Sequence, residues 1–394
     1  MTGAEGRRPH LALVCDLAAE RWPSMDLMAE MLAVQLATAH SREVDAERVR
    51  PAVVTRLGRL PGLRGSPNIG DRLWNRYWDY PRWLRRRAHE FDLFHVVDHS
   101  YAHLARELPA GRTIVTCHDV DPFRLLLERA GDLRSRALQL LSGRLLAGLR
   151  QASRVTCDST ATRDELLAGG WARPERVTVV PLGVHPACSP DPDATRDAEI
   201  EGRLGPVSAD RIDILHVGST IPRKRIDVLL GVFAAVRKEW PGACLVRVGG
   251  TFDAGQRRIV DDLGLQNSTV LLPFLDQAAL AAVYRRAAVL LLPSEREGFG
   301  FPVLEAMACG TAVVASDIPA LRESGGEAAT YCPVGDIAEW TAAIARLLRE
   351  RRDEPERWSD RRARGIAQAG KFTWAESARR FVALYRDVAA LGPP

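Results

Sequence analysis

Short runs of apolar, often β-branched residues alternate with stretches of helical period from residue 211 onward. Within the helical stretches apolar residues recur three and four positions apart, as at Ile226, Leu229 and Phe233. This alternation is typical of βαβ units, whose parallel strands form one sheet. The pattern therefore predicts a Rossmann-like domain over residues 211–370. Its predicted strands are 212–217, 244–248, 269–272, 288–292 and 312–315.

The N-terminal half shows the same alternation less regularly and predicts a second domain of this class over residues 1–185. Residues 181–206 are rich in Pro, Gly, Asp and Ala without an apolar period, so we place a linker at 186–210. A last amphipathic stretch, 374–391, predicts a C-terminal helix within residues 371–394. The predicted strands of the N-terminal domain are 11–15, 94–97, 113–117, 154–157 and 177–180.

Open parallel sheets bind their ligands beyond the carboxyl ends of the strands. Two such sheets joined by a linker can turn these ends towards one another. The sequence therefore predicts a ligand site in a cleft between the two domains.

Composition excludes several classes of protein. The 394 residues are 46% hydrophobic and 26% charged, which is ordinary for a folded globular protein. The net charge of +4 argues against nucleic acid as a partner. The seven cysteines form no C-x-x-C pair, and no run of 18 uncharged apolar residues occurs. We therefore expect a cytoplasmic protein in a reducing compartment, with no structural zinc, signal peptide or membrane span.

A basic loop over residues 218–225 lies between a predicted strand and a predicted helix, so backbone N–H groups and the positive helix end meet there. Lys224 is one of only three lysines and adds a compact charge, while Arg223 adds a guanidinium that can grip two phosphate oxygens. The loop favours a diphosphate ligand. A solvated turn with basic residues at a helix start would give the same pattern.

An acidic and glycine-rich segment over residues 295–305 follows the predicted strand that ends at Leu292. Glu297 lies in the loop, and Glu305 lies in the first turn of a helix in which Pro302 suits the first position. Gly298 and Gly300 permit a positive φ or the close approach of a ligand. The two carboxylates can accept hydrogen bonds from sugar or ribose hydroxyl groups. Alternatively, they only complement the helix dipole.

The sequence of residues 293–310, with Glu297 and Glu305 separated by seven residues, resembles the E-x7-E signature of retaining glycosyltransferases of family 4. The segments 180–184, 217–230 and 315–323 also resemble that family in order and spacing. The similarity is strong over 211–345 and looser before it.

The resemblance implies the GT-B fold, an α/β architecture of two Rossmann-like domains facing across a cleft, with a C-terminal helix packing back towards the N-terminal domain. It implies that the second domain binds a nucleotide sugar and the first binds the acceptor. Glu305 would hold the ribose hydroxyls, and Glu297 the transferred sugar. Lys224 with Arg223 would stabilise the departing diphosphate. The donor-binding residues implied are Ser219, Arg223, Lys224, Glu297, Gly298, Phe299, Gly300, Phe301 and Glu305.

His118 follows a predicted strand and resembles the family's histidine that reaches the donor sugar from the first domain. A polar residue satisfied at a strand end is the alternative. Asp119 and Asp121 spell D-x-D, a metal-binding pattern in other transferases, but the basic loop already supplies the charge that a metal would. The prediction is therefore a metal-independent enzyme without a cofactor, with His118, Glu297, Lys224 and Arg223 as its catalytic group.

Histidines and an aspartate cluster near the third predicted strand of the first domain, at His95, Asp98, His99 and His103. A metal cluster is one interpretation, and a strand end followed by a loop is the simpler one. In the simpler interpretation Asp98 and His99 face the acceptor.

Two positions depart from the family pattern in the donor loop. Ser219 stands where many members carry arginine, and Arg225 stands where glycine is common. Arg223 could take over the missing charge. The first loop of the N-terminal domain also lacks the usual glycine pair and has residues 21–26 instead, which leaves its contacts open.

Residues 71–94 combine tryptophans and arginines at helical spacing. Such side chains can seat at a membrane interface or receive a lipid-linked acceptor, but core packing with a solvated arginine face is the simpler interpretation in a chain this rich in arginine. Peripheral contact with the inner face of the membrane therefore stays open.

The combined prediction is a hexosyltransferase that moves mannose, glucose or a deoxyhexose from a GDP- or UDP-linked donor to a glycan or lipid-linked hydroxyl, with retention of configuration, in cell-surface polysaccharide or glycoconjugate biosynthesis. Retention follows from the resemblance alone. The alternatives are a sugar-nucleotide epimerase on the same fold and a non-catalytic subunit that binds a nucleotide sugar.

Overall fold

The chain forms two compact units. The computed structural model describes residues 8–20, 22–56, 69–127, 133–206, 208 and 210–390. Unit 1 comprises Met1–Gly183 with Trp374–Pro394, and unit 2 comprises Val184–Thr373. The chain thus leaves unit 1 after Gly183 and returns to it at Trp374.

Unit 1 is built on a parallel six-stranded sheet with the spatial order β2-β1-β3-β4-β5-β6. Five of these strands lie within one residue of their predicted positions. The strand β2 was not predicted, because its sequence DAERV is polar and it lies at the edge of the sheet with little burial. The strands are β1 His10–Val14, β2 Asp45–Val49, β3 Leu93–Val96, β4 Thr113–Cys117, β5 Arg154–Cys157 and β6 Val177–Val179.

Helices flank this sheet, and the core between the layers is apolar, with Phe94, Val115 and Val155 fully or almost fully buried. A π-helical segment, Asn75–Asp79, and a 3₁₀ segment, His99–Glu107, interrupt the regular pattern. The α-helices of unit 1 are α1 Pro23–Ala39, α2 Ile69–Trp74, α3 Tyr80–Arg87, α4 Asp121–Arg124, α5 Leu133–Gln151, α6 Thr160–Ala168 and the C-terminal α15 Trp374–Ala390.

Unit 2 is built on a second parallel six-stranded sheet, with the order β12-β11-β10-β7-β8-β9. Its five predicted strands are present to within one residue, and the short edge strand β12 is additional. The strands are β7 Ile212–Val217, β8 Ala243–Val248, β9 Thr269–Leu272, β10 Val289–Leu292, β11 Ala312–Ser316 and β12 Thr330–Cys332. The helices are α7 Ala194–Leu204, α8 Ile226–Glu239, α9 Ala254–Asp262, α10 Gln277–Arg286, α11 Phe301–Ala308, α12 Pro319–Gly325, α13 Ile337–Asp353 and α14 Pro355–Ala369.

The segment predicted as a linker, 186–210, contains the helix α7 and is therefore not a linker throughout. Asp193 caps the helix by accepting hydrogen bonds from the backbone N–H groups of Thr195 and Arg196. Ile200 and Leu204, four residues apart, are buried in the core of unit 2. Two apolar positions are too few to give a recognisable period, so tertiary packing rather than the local pattern explains this helix.

The C-terminal helix α15 belongs to unit 1, as the fold expectation required. It begins at Trp374 as predicted, and Leu391, the predicted end, lies outside the described residues. The hydroxyl of Tyr385 on α15 lies 2.7 Å from Nδ1 of His95 on β3. Two sheets of parallel strands, each flanked by helices, and this returning helix confirm the predicted fold class. Within the described ranges, no helix combines the length and apolar character needed to cross a membrane.

A glycine lets α5 approach the 3₁₀ segment that follows β3. A Cβ on Gly148 would lie 1.9 Å from the carbonyl oxygen of Ala102 and 2.9 Å from Cα of His103. On the same helix, a Cβ on Gly143 would meet no atom within 4 Å. The contact at Gly148 therefore fixes the position of the segment that begins with His99.

We expect Gly148→Ala to lower the free energy of unfolding by about 1–3 kcal/mol, because the methyl group forces α5 away from the 3₁₀ segment. Gly143→Ala is the matched control and should raise it by about 0.5–1 kcal/mol, since alanine favours a helix. Urea denaturation measures both. Equal effects of the two substitutions would contradict the close approach.

Candidate functional site

A buried carboxylate with two cations lies at the carboxyl ends of β7 and β10, which are neighbours in the sheet of unit 2. Oε1 of Glu297 lies 2.5 Å from Nζ of Lys224, and Oε2 lies 3.0 Å from Nη1 of Arg223. The same Nη1 donates to the carbonyl of Arg296 at 2.8 Å. One ion cluster thus joins Glu297 to two cations that lie 73 and 74 positions before it in the chain.

A tight turn places the two cations. Gly218 follows β7 with a φ of +152°, and Pro222–Lys224 form a 3₁₀ turn. The helix α8 begins only at Ile226, so Lys224 lies before the helix and not within its first turn. Arg225, between them, has the left-handed values φ 49° and ψ 52°. This conformation explains why glycine suits the position.

The cations decide the protonation state of Glu297. Burial alone would raise its pKa, but Lys224 and Arg223 more than offset this and hold the pKa of Glu297 below its ordinary value. Glu297 is therefore an ionised carboxylate at neutral pH, although its side chain is only 7% exposed.

The loop after β10 enters α11 through a left-handed glycine. Gly300 has a φ of +97°, and a Cβ there would lie 2.8 Å from Leu321, so a glycine is required. Gly298 has no positive φ among the values observed. Phe299 is buried and contacts Phe301 edge to face, with ring centroids 5.2 Å apart. The side chain of Phe299 is therefore part of the packing of unit 2.

Glu305 stands apart from the ion cluster. It lies on α11, is 5% exposed, and its Oε2 accepts a hydrogen bond of 2.8 Å from the hydroxyl of Tyr284 on α10. Burial raises the pKa of Glu305 to about 7, and the hydrogen bond from Tyr284 opposes that shift. The two glutamates of the motif thus differ: Glu297 is a paired anion, and Glu305 is a carboxyl near its titration point at neutral pH.

A second polar group lies in unit 1, at the carboxyl ends of β3, β4 and β5. Nδ1 of His118 lies 2.5 Å from Oδ2 of Asp158, and Nε2 lies 2.7 Å from the carbonyl oxygen of Val97. A backbone carbonyl only accepts, so Nε2 donates to Val97, and in the charged ring Nδ1 donates to Asp158. Burial lowers the pKa of His118, but Asp158 and then Asp98 outweigh it and raise the pKa to about 9. His118 is a buried cation.

Asp98 and His99 lie in the same network. The carboxylate of Asp98 accepts hydrogen bonds from the backbone N–H of Ser100 at 2.8 Å and from its hydroxyl at 2.5 Å. Nδ1 of His99 accepts from the backbone N–H of His118 at 3.3 Å. Burial and the neighbouring Asp98 raise the pKa of Asp16 well above its usual range.

The other histidines of the predicted cluster are engaged elsewhere. His95 is bonded to Tyr385 and Thr116, and Nε2 of His103 lies 3.0 Å from the carbonyl of Arg76. Burial lowers the pKa of both rings to about 3, so both are neutral. Among the residues that the structure describes, no group of three or more His, Cys, Asp or Glu side chains is arranged to hold a metal ion.

The structure thus joins Glu297 to Lys224 and Arg223, and His118 to the network of Asp98 and His99. Asp16, Asp158 and Tyr284 were missed as site residues. Asp158 comes directly after the apolar strand β5, and Asp16 comes two residues after β1. This position at a strand end was the signal that would have found them. Tyr284 lies in an amphipathic helix, where nothing local distinguishes it from a core residue.

Two family models match the chain. Residues 27–187 match the model described as Glycosyltransferase Family 4, and residues 204–364 match the model described as Glycosyl transferases group 1. The first lies almost wholly in unit 1 and the second in unit 2.

Curated relatives and a solved structure agree with these matches. D-inositol 3-phosphate glycosyltransferase of Thermobispora bispora is 31% identical over 297 residues, covering 72% of this chain and 67% of that protein. The protein of the same description from Segniliparus rotundus is 30% identical, covering 69% of this chain and 60% of that protein. The chain thus spans about two thirds or less of the length of these relatives.

The structure is similar to that of Anabaena Alr3699/HepE in complex with UDP and glucose, with a TM-score of 0.70 and 16% identity, covering 96% of this chain and 100% of that one. At this identity the likeness concerns the fold alone. Together with the relative that is 31% identical, the two models assign the chain: it belongs to the glycosyltransferases of family 4.

Proposed function

We propose that this protein transfers a hexose from a nucleoside diphosphate sugar to a hydroxyl of a glycan or lipid-linked acceptor, with retention of configuration. The bond from the anomeric carbon to the diphosphate oxygen breaks, the acceptor oxygen bonds to that carbon, and the hydroxyl proton passes to the departing diphosphate. Negative charge grows on the departing diphosphate, so the enzyme must place positive charge there.

One observation carries this proposal: Lys224 and Arg223 are held on a buried carboxylate at the carboxyl ends of two neighbouring parallel strands. This edge of an α/β sheet is where ligands bind. Two cations preorganised there are suited to stabilise a leaving diphosphate. Glu297 is then released to accept hydrogen bonds from the sugar, and Glu305 accepts them from the ribose.

We also propose which donor nucleotide and which acceptor to assay first. The solved relative from Anabaena contains UDP and glucose, which supports a uridine nucleotide as the first donor to assay, with GDP-linked sugars beside it. The description of the curated relatives names D-inositol 3-phosphate, which is therefore the first small acceptor to assay.

Unit 1 would supply the acceptor side. Asp98 can accept a hydrogen bond from an acceptor hydroxyl, and His99 lies beside it in the same network. His118 adds a buried positive charge to this network. No metal enters the proposal, because Lys224 and Arg223 supply the positive charge that a divalent ion would otherwise provide.

We further propose that the α2–α3 surface, defined as residues 69–87, contacts an anionic membrane. The side chains of Trp74 and Trp78 are 51% and 49% exposed, with ring centroids 5.8 Å apart, and the guanidinium of Arg82 lies over the ring of Trp78. Ile69 and Leu73 are exposed beside them. Tryptophan with arginine suits the boundary between lipid headgroups and acyl chains.

Lys224→Met should lower the rate of sugar transfer about 100-fold or more, because an ammonium that stabilises the departing diphosphate is lost. Lys238→Met is the matched control, since Lys238 is an exposed lysine of the adjacent helix α8, and it should leave the rate unchanged. The assay measures product from UDP- and GDP-linked hexoses with EDTA present, and NMR reports the anomer formed.

An unchanged rate in Lys224→Met would contradict the proposed site, and loss of transfer in EDTA would contradict metal independence. Conversion of the donor without an acceptor would favour an epimerase. Donor binding without turnover would favour a non-catalytic subunit.

The His118 ring should titrate with a pKa of about 9, and Asp158→Asn should lower that pKa, because burial then dominates. A raised pKa means that the pair stabilises the fold fully below the ordinary value near 6.5 and loses this contribution as the pH rises through about 9. Ring NMR shifts and urea denaturation at pH 7 and 10 measure both effects. Asp164→Asn, at an exposed position of α6, is the control and should change neither.

Vesicle flotation tests the membrane proposal. The wild type should float with phosphatidylglycerol vesicles and not with phosphatidylcholine vesicles. The double variant Trp74→Ala/Trp78→Ala should bind the phosphatidylglycerol vesicles at least about tenfold more weakly than the wild type. Phe274→Ala removes an aromatic ring that is 61% exposed in unit 2 and should bind as the wild type does. Equal binding of all three proteins, or no binding by the wild type, would refute the proposal.

A further inference from the structure

Arg247 is a charged side chain in the interior of unit 2. It lies on β8, next to the β7 residue His216, and its relative exposure is 0%. Its guanidinium donates to the carbonyl of Gly218 at 2.8 Å and to the carbonyl of Gly250. These carbonyls belong to the loops that follow β7 and β8. Arg247 thus ties together two loops at the edge of the sheet where the donor site is proposed.

The two loops approach each other closely at this point. A Cβ on Gly249, which has a φ of +118°, would lie 2.4 Å from the carbonyl oxygen of Gly218. Gly218 also lies close to two other polar side chains of unit 2, His216 and Lys224. A Cβ there would lie 3.5 Å from the ring of His216 and 3.6 Å from Cε of Lys224.

Arg247 has no counter-ion in the part of the chain that the structure describes. No carboxylate of a described residue lies within ion-pair distance of Arg247, and its Nε is buried without a hydrogen-bond partner there. Burial lowers the pKa of Arg247 to about 10, and no acidic group opposes that shift. A buried cation without a counter-charge is costly, and proteins usually retain one where a ligand brings the opposite charge.

The surrounding charges leave an excess of positive charge. Glu297 is one ionised carboxylate, and it already bonds Lys224 and Arg223. Burial, Arg247 and Lys224 lower the pKa of His216 well below its usual range, so this ring is neutral and adds no charge. Arg247 therefore adds a positive charge that no carboxylate among the described residues balances, and an anionic ligand would supply the opposite charge.

We propose that Arg247 is a positioning residue for the diphosphate of the donor, which supplies a buried positive charge under the loop that begins at Gly218 and fixes that loop against Gly250. The inference rests on the proposed function, because it takes a nucleoside diphosphate as the ligand. It deepens that function, since it identifies a residue of the site outside both the basic turn and the acidic motif.

Arg247 need not touch the ligand. Its guanidinium is covered by the two loops, so it acts through its charge and through the position of the Gly218 carbonyl. A low-dielectric interior screens such a charge weakly. A purely structural role, in which Arg247 only joins two carbonyl groups, would give a folded loop without a preference for an anionic ligand.

The selectivity for the diphosphate separates these roles. Titration calorimetry gives the dissociation constants of UDP, uridine, GDP and guanosine. The dissociation constant of the nucleoside divided by that of its diphosphate reports the contribution of the phosphates. In Arg247→Met this ratio should fall about tenfold or more, because a neutral side chain of similar length replaces the charge. In Arg247→Lys, which keeps the charge, it should stay within about threefold of the wild type.

Arg362→Met is the matched control, because Arg362 also donates to a backbone carbonyl of unit 2, that of Gly310, but lies outside the donor site. It should leave the ratio unchanged. An unchanged ratio in a folded Arg247→Met protein would overturn the inference. If the Met variant does not fold, Arg247→Lys decides. A ratio of dissociation constants that stays near that of the wild type supports the charge role. A ratio that falls overturns it, because it leaves only the role of joining two carbonyls, which one ammonium cannot reproduce.

The failure of this inference differs from the failure of the proposed function. A wild type that binds neither UDP nor GDP contradicts the nucleotide-sugar site itself, and the inference falls with it. A wild type that binds one of them with a ratio that does not depend on residue 247 overturns only the role of Arg247.

Discussion

The pairing of buried Glu297 with Lys224 and Arg223 constrains everything else at the candidate site of unit 2. A carboxylate out of water is costly unless cations and hydrogen bonds replace the lost hydration, and here both come from one turn on the neighbouring strand. The cluster therefore holds the loops after β7 and β10 in register. It also keeps two cations in place before any ligand arrives, so less ordering remains for the binding step.

The histidines show how burial and partners divide one residue type into different chemical roles. His118 meets a carboxylate and stays charged, whereas His95 and His216 are buried without an anionic partner and stay neutral. The neutral rings suit the interior of a sheet, where they exchange hydrogen bonds or separate cations. The charged ring stands at a strand end, at the edge of an α/β sheet where ligands generally bind.

Much of the fold could be predicted from the sequence, because buried parallel strands are nearly continuous apolar runs bounded by turn residues. The polar edge strand β2 and the helix α7 could not, since their stability comes from neighbours distant in sequence. For the site, strand ends and helix starts identified Lys224, Glu297, Glu305 and His118 as candidates. No local pattern predicts contacts between loops that are distant in the chain. The ion pair of Lys224 with Glu297 is one such contact, and the pairing of Asp158 with His118 is another.

The left-handed backbone of Arg225 restricts which residues can replace it at the end of the basic loop over residues 218–225. Among the described residues it is the only non-glycine with a positive φ, a conformation that glycine and asparagine enter readily and β-branched residues do not. Its guanidinium holds Asp227 at 2.9 Å, which helps to offset the strain. Exchange at this position therefore changes the position of Lys224 as well as the local charge, so the geometry of the ion cluster and the tolerance to mutation are coupled through a single peptide unit.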